Sequence, residues 1–422
     1  MGPARRENLG GRTEPNMNAP GAARPRRHDL DWLRVIAIIL LLFFHSAMPY
    51  VAETDWHLQN PETSPLMKEA TYFLSRWRMA LLFLISGVGT AYALGFRPAA
   101  GYVRERARRL LVPLAFGIFV IVPPQIYMER LANGATYGYL EFWPRVLRFE
   151  AYPQGEFSWH HLWFIAYLFL YSVAALPLFL WMRSAGGWRA RAAIERRLAG
   201  PALYALGVPL GLALATLYVR WSGPENIKDD WGRLVYYFLF FLFGYLLAEA
   251  EGAWRWMEAR RRTSLALAVG SIVAINYLRW NDLEPAWGYN AGTAAMLMLQ
   301  AFNAWFWVLA ILGWGRRLLS FRNRVLDYAS EGIYPFYVLH QTVIVIIAFY
   351  VIRAPDAVWA KFWFTSIVSG LLTVAIYDFA VRPFRITRFL FGMKNPPRAP
   401  RSVPAPPLAV ATARRPAMSQ SE

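Results

Sequence analysis

The strongest constraint on this chain is an alternation along its length. Runs of predominantly apolar residues are separated by short arginine-rich or acidic connections. About 20 such residues cross a hydrocarbon layer roughly 30 Å thick. Backbone in lipid must satisfy its own hydrogen bonds, so these runs can only be helices. The composition agrees: 56% of the 422 residues are hydrophobic, against about 45–50% apolar in soluble domains even with glycine counted. The 19 tryptophans suit aromatic belts at the two membrane interfaces. The expected fold class is all-α, a polytopic integral membrane protein of about ten helices.

The ten segments fall at approximately 32–50, 73–95, 110–128, 161–181, 201–220, 232–250, 264–280, 290–313, 332–352 and 359–381. The fourth is clear, whereas Asn276, Asn290 and Gln300 interrupt the seventh and eighth. Connections then alternate in charge. Arg104 to Arg109, Arg189 to Arg197, Arg260 to Arg262 and Arg316 to Arg324 lie on the side of both termini. Glu53, Asp55, Glu62, Glu225, Asp229, Asp230, Asp282 and Glu284 lie opposite. The positive-inside rule places both termini in the cytoplasm, and an even number of spans agrees. Residues 28–394 form the membrane domain. Residues 1–27 and 395–422, rich in Pro, Arg, Ala and Gly, read as disordered tails. Met17 is an alternative start. The first apolar run sits behind a polar tail without a small-residue cleavage site, so no signal peptide is expected.

The net charge of +18 does not indicate nucleic acid, because the arginines sit in short clusters between apolar runs rather than on one soluble face. The absence of cysteine excludes disulfides, thiol catalysis and cysteine-bound metal. HExxH is absent, and no helix carries histidines four apart, so no metal is expected.

Arg34 and His45 share the first segment. Ionisable groups inside a span are costly and point to function. Eleven residues at about 100° each is three turns plus roughly 20°, so both lie on one helix face, about 16 Å apart along the axis. Asp31, three residues before Arg34, is placed for an ion pair. His45 is suited to accept a proton near neutral pH. Pro49 offers no N–H to the His45 carbonyl and weakens the helix there. Arg76, Arg78, His160, His161 and His340 fall at comparable depth on other segments. Interface anchoring, helix capping and structural hydrogen bonding are the plainer roles for each; their shared depth favours a site. Ser86-Gly87-Val88-Gly89 is not a nucleophile elbow and more simply allows close helix approach. Arg106 and Arg109 suit either positive-inside charge or a phosphate clamp. Asp378 is placed to pair with Arg382.

These motifs resemble the membrane acyltransferase-3 family. Arg34 and His45 match its Arg-x10-His signature. Leu82-Phe-Leu-Ile-Ser-Gly87, Arg106-x-x-Arg109 before Leu-Leu-Val-Pro113, His161-Leu-Trp163-Phe, and Gly332-Ile-Tyr-Pro-Phe-Tyr-Val-Leu-His340-Gln341 agree. The likeness covers roughly residues 28–394. Trp77-Arg78-Met79 and Leu390-Phe-Gly-Met-Lys394 make the chain most similar to the glucan-modifying, glucan-succinyltransferase type branch.

The resemblance implies an O-acyltransferase of the bacterial inner membrane. It would move an acyl group, succinyl or acetyl, from cytoplasmic acyl-CoA to a hydroxyl of an extracytoplasmic carbohydrate. His45 would be the acid–base residue. Arg34 would position the donor, and Arg106 and Arg109 would face the CoA phosphates. Asp31, Arg78, Ser86, His161, Trp163, His340 and Gln341 are supporting candidates, with Arg78, His340 and Gln341 nearest an oxyanion role. No permanently bound cofactor is expected, and no appended hydrolase-like domain is evident. The chain therefore completes transfer itself or hands the acyl group to an envelope-biosynthesis partner. An exporter with His and Arg along its path is the competing reading. It predicts buried acidic ion sites and broken helices in matching halves. A non-catalytic scaffold would have no use for Arg34, His45 and the arginine pair.

Overall fold

The computed structural model describes residues 26–52, 56–223 and 227–394. Nearly all of both expected tails, with Met17, Glu53, Asp55 and Glu225, lies outside the described residues. Among the described residues there is no β-strand, only an isolated bridge between Ala151 and Phe157. Seven helical segments among the described residues are long and apolar enough to span a membrane: His28–Tyr50, Pro65–Phe96, Ala99–Ala132, Pro201–Tyr218, Ala291–Leu318, Arg324–Val351 and Val358–Val381. Two bent pairs raise the number to nine. The remaining expected segment is also helical, over Arg261–Trp280.

We label the elements α1 (His28–Ala47), α2 (Pro65–Phe96), α3 (Ala99–Ala132), α4 (His160–Ala174), α5 (Leu176–Arg183), α6 (Pro201–Tyr218), α7 (Trp231–Leu247), α8 (Glu251–Ala259), α9 (Arg261–Trp280), α10 (Ala291–Leu318), α11 (Arg324–Val351) and α12 (Val358–Val381). The fourth expected span is not straight. It bends by 44° between α4 and α5, where Pro177 lacks the N–H that would continue the helix. The sixth turns by 108° into α8.

Local chemistry sets the starts of the long helices. Ser64 accepts from the Met67 N–H ahead of Pro65, Asn290 from Thr293 and Asn323 from Leu326. Each satisfies a first-turn donor that the helix cannot. Helices in lipid gain little from hydrophobic burial against one another and associate by close packing. The crossing of α2 and α7 shows how. A Cβ at Gly87 would overlap the Phe241 carbonyl, and one at Gly244 would overlap the Leu84 carbonyl. Each helix lays backbone into the other's missing side chain. Gly89 meets open space, so only the first glycine of the Ser86–Gly89 run serves this contact. The crossing fixes α2, and with it Arg78, against the bundle.

α1 lies in the middle of this packing, touching α2, α10, α11 and α12. α3 is irregular: π-helical turns occupy Ala107–Leu111 and Gly117–Ile121. Such turns widen the helix and recur at functional positions.

Candidate active site

α1 carries Arg34 and His45 on one uninterrupted helix. Beyond His45 the α-helix ends at Ala47 and tightens into a 3-10 turn, Met48–Tyr50. The turn lies where Pro49 cannot serve the His45 carbonyl.

At this end, three histidines from three helices form a row. The His45 ring centroid is 5.3 Å from that of His340 on α11, and His340 is 5.4 Å from His161 at the start of α4. His340 is fully buried. Its Nδ1 lies 2.6 Å from the Tyr337 carbonyl, so Nδ1 carries the proton. Nε2 then presents a lone pair, and no partner among the described residues meets it. His161 is held in the opposite sense: Nε2 donates to the Val338 carbonyl at 3.1 Å. The Tyr337 hydroxyl donates to the His161 carbonyl. His45 itself is half-buried, with Nδ1 unpartnered.

Arg78 completes the cluster. It is 3% exposed, its guanidinium lies 4.1 Å above the Phe44 ring, and Nε and Nη1 find no hydrogen-bond partner among the described residues. Its charge acts on both His45 and His340. A buried cation without a paired carboxylate is costly, and a guanidinium with free donors suits an oxyanion.

A polar row leads away from the histidines. Gln125 Nε2 reaches His161 Nδ1 at 3.5 Å and Thr342 Oγ1 at 2.7 Å. Gln341 Nε2 donates to Gln125 Oε1 at 3.1 Å and to His57 Nε2 at 3.3 Å. His57 Nδ1 donates to Glu129 Oε2 at 2.6 Å. His57 and Glu129 line a cleft of about 840 Å³, together with Trp56, Tyr152, Arg353 and Lys361. Lys361 pins its wall by donating to Asn60 Oδ1 at 3.0 Å.

The other end of α1 is built from arginines. Arg34 pairs with Asp31 at 3.4 Å, and Asp31 also takes Arg26 at 2.6 Å. The charges of Arg109, Arg26 and Arg106 all reach Arg34. Arg106 donates to Thr90 Oγ1 at 3.0 Å, and Arg109 to the Gly392 carbonyl at 3.3 Å. Arg109 lies inside the π-helical turn, which takes it off ordinary helical spacing from Arg106.

The fold therefore gathers the expected residues into two groups rather than one: Asp31, Arg34, Arg106 and Arg109, and apart from them His45, Arg78, His161, His340 and Gln341. Three expected residues have other occupations. Ser86 Oγ donates to the Leu82 carbonyl at 2.7 Å. Trp163 packs among aromatic rings, 5.6 Å from Tyr237 and 6.0 Å from Phe83. Arg76 donates to Gln300 at 3.2 Å. Asp378 pairs with Arg382 at 3.5 Å. Sequence reasoning missed Gln125, Glu129 and His57. Gln125 and Glu129 stand four apart on α3, so both sit on one face of an apolar run. That pattern was available; His57, in a connection, carries no such signal.

Buried histidines, a buried arginine and a remote arginine cluster on one membrane bundle define a multi-pass membrane protein with a polar interior. The chain belongs to the acyltransferase-3 family, whose acyltransferase domain matches residues 27–380, and it is an O-acyltransferase. It is similar to the glucans biosynthesis protein C of Escherichia coli O6:K15:H31, 23% identical over 382 residues covering 87% of this chain and 95% of the relative. It is also similar to the protein of the same name from Salmonella typhimurium strain LT2, 23% identical over 384 residues covering 88% and 96%. No solved structure matches the chain.

Proposed function

We propose that this enzyme moves a succinyl or acetyl group from cytoplasmic acyl-CoA to a hydroxyl of an extracytoplasmic glycan, in the bacterial inner membrane with both termini inside. The observation that carries this reading is the cluster at the far end of α1. There a half-buried His45 stands 5.3 Å from a histidine with an unused Nε2, beside a buried arginine with unused donors. Relatives named for glucan biosynthesis support the acceptor class.

In the proposed reaction His45 takes the proton of the acceptor hydroxyl as its oxygen attacks the thioester carbonyl. Negative charge develops on the carbonyl oxygen, where Arg78 donates. Collapse forms the C–O ester and breaks the C–S bond, and the proton held by His45 passes to the CoA thiolate. Arg34, about 16 Å from His45 along α1, binds the CoA phosphates together with Arg106 and Arg109 of α3. The donor therefore lies along the helix with its thioester inside the membrane.

The test is release of free CoA from a panel of acyl-CoAs by the purified, detergent-solubilised protein with an oligoglucan acceptor, wild type against His45→Ala. Release by the wild type alone, with one donor, supports the reading and identifies the acyl group. Full activity in His45→Ala removes His45 from the chemistry. If no CoA ester binds either protein, the donor assignment fails and the acyl group comes from another carrier.

A further inference from the structure

Three side chains outside the His45 cluster meet beside the cleft, whose wall His57 and Glu129 help to form. His57 comes from the connection between α1 and α2, Glu129 from the last turn of α3, and His160 from the first turn of α4. One ligand atom from each lies within 4.8 Å of the other two. The side chains of His57 and Glu129 are each 8% exposed. The rings of His57 and His160 are 4.6 Å apart.

Two details separate this group from an ordinary hydrogen-bonded cluster. Ser158 Oγ lies 2.6 Å from His160 Nδ1 and accepts the His160 backbone N–H at 3.1 Å. That leaves His160 Nε2 buried with no partner among the described residues. A metal-ligating histidine has this arrangement: one ring nitrogen held by an outer partner, the other free to bind. The second detail is the His160 backbone, at φ +40°. A non-glycine residue there is strained, and such strain concentrates at functional sites. Glu129 is oriented in turn by the Tyr152 hydroxyl, 3.1 Å from both carboxylate oxygens.

We propose that His57, Glu129 and His160 bind one divalent transition-metal ion, with Zn²⁺ the best match. Two imidazoles and a carboxylate suit Zn²⁺, whereas Mg²⁺ and Ca²⁺ require mainly oxygen ligands. Three protein ligands leave a fourth position open, and the cleft supplies both the entry path and room for water there. For the ion to sit at His57 Nδ1, the single ring proton moves to Nε2, where the Gln341 amide can turn its unpartnered Oε1 to accept it. Ligands about 2.0–2.2 Å from a tetrahedral ion stand a little over 3 Å apart. His57 and Glu129, at 2.6 Å, need part by only a fraction of an ångström. The expectation that no metal binds rested on ligand spacing along one helix; three ligands from three segments leave no such signature.

The proposal stands apart from acyl transfer and is tested without it. Tag-free protein in detergent is stripped with a chelator, then titrated with Zn²⁺ by calorimetry and with Co²⁺ by visible absorption. One equivalent should bind, with the intense d–d bands of four-coordinate Co²⁺. Affinity should fall at least about tenfold in His160→Ala and Glu129→Gln. Glu129→Gln keeps an acceptor for His57, so it distinguishes a lost ligand from a misfolded protein, with thermal melting as the check. His28→Ala, at the opposite end of α1, should bind as wild type. The absence of stoichiometric uptake, or uptake unchanged in both ligand variants, overturns the proposal.

Discussion

The two ends of α1 treat charge in opposite ways. At the Arg34 end, the Arg34 and Arg109 side chains are 42% and 43% exposed, and the arginines there have acidic, hydroxyl or carbonyl partners. At the His45 end, Arg78 is 3% exposed, and Arg78, His45 and His340 each keep a buried polar atom without a partner. Buried polar groups are nearly always satisfied, so three such groups side by side suit the proposed substrate site. The first end can bind an anion reversibly by exchanging weak partners for stronger ones. The second is held ready for a group that the protein does not itself supply.

That contrast can be broken by substitution. The largest effect should come from His45→Ala, which we expect to lower acyl transfer by about 10³-fold, within the range for losing an acid–base residue, with little change in melting temperature. Single-turnover CoA release checks it, and a loss of tenfold or less would move the base elsewhere. Arg78→Leu should follow, with kcat down about 10²-fold as for one oxyanion donor. Because it removes a buried unpaired charge, it should leave the protein as stable or more so. A marked drop in melting temperature would show instead that Arg78 is structural. At the other end, Arg109→Ala should raise KM for the acyl-CoA about tenfold, as for loss of a charge-assisted hydrogen bond, with kcat nearly unchanged. A kcat effect matching that of Arg78→Leu would abolish the distinction between the two ends. Gly87→Leu sharpens the comparison from outside. It should destabilise the α2–α7 crossing by about 1–3 kcal/mol, lowering both kcat and stability through Arg78, which thermal melting followed beside activity would resolve.

Much of this organisation was legible in the residues. Apolar length identified the helices, and the spacing from Arg34 to His45 placed two ionisable groups on one face of one helix. Similar depth brought His340 and His161 into consideration before any contact was known. What stayed hidden depends on geometry between elements. Nothing in the linear pattern says that Arg78 lacks a partner while Arg76, two residues away, finds Gln300. The bend at Pro177 was readable in principle, but its apolar flanks made α4 and α5 look like one span. His57 joins the polar row only because the connection before α2 folds back over α3, and connections carry no periodicity to expose that.

The stretch Phe391–Lys394 has a practical consequence. Gly392 adopts φ +63°, and a Cβ there would come within 2.7 Å of the Arg109 carbonyl. Its own carbonyl receives Arg109 Nε. Protein engineers who trim this chain at the end of α12, or splice a reporter directly onto it, would remove a support of Arg109 and the arginines around it along with the trimmed residues. Shortened versions should retain the sequence through Lys394, and any fused reporter should follow a spacer.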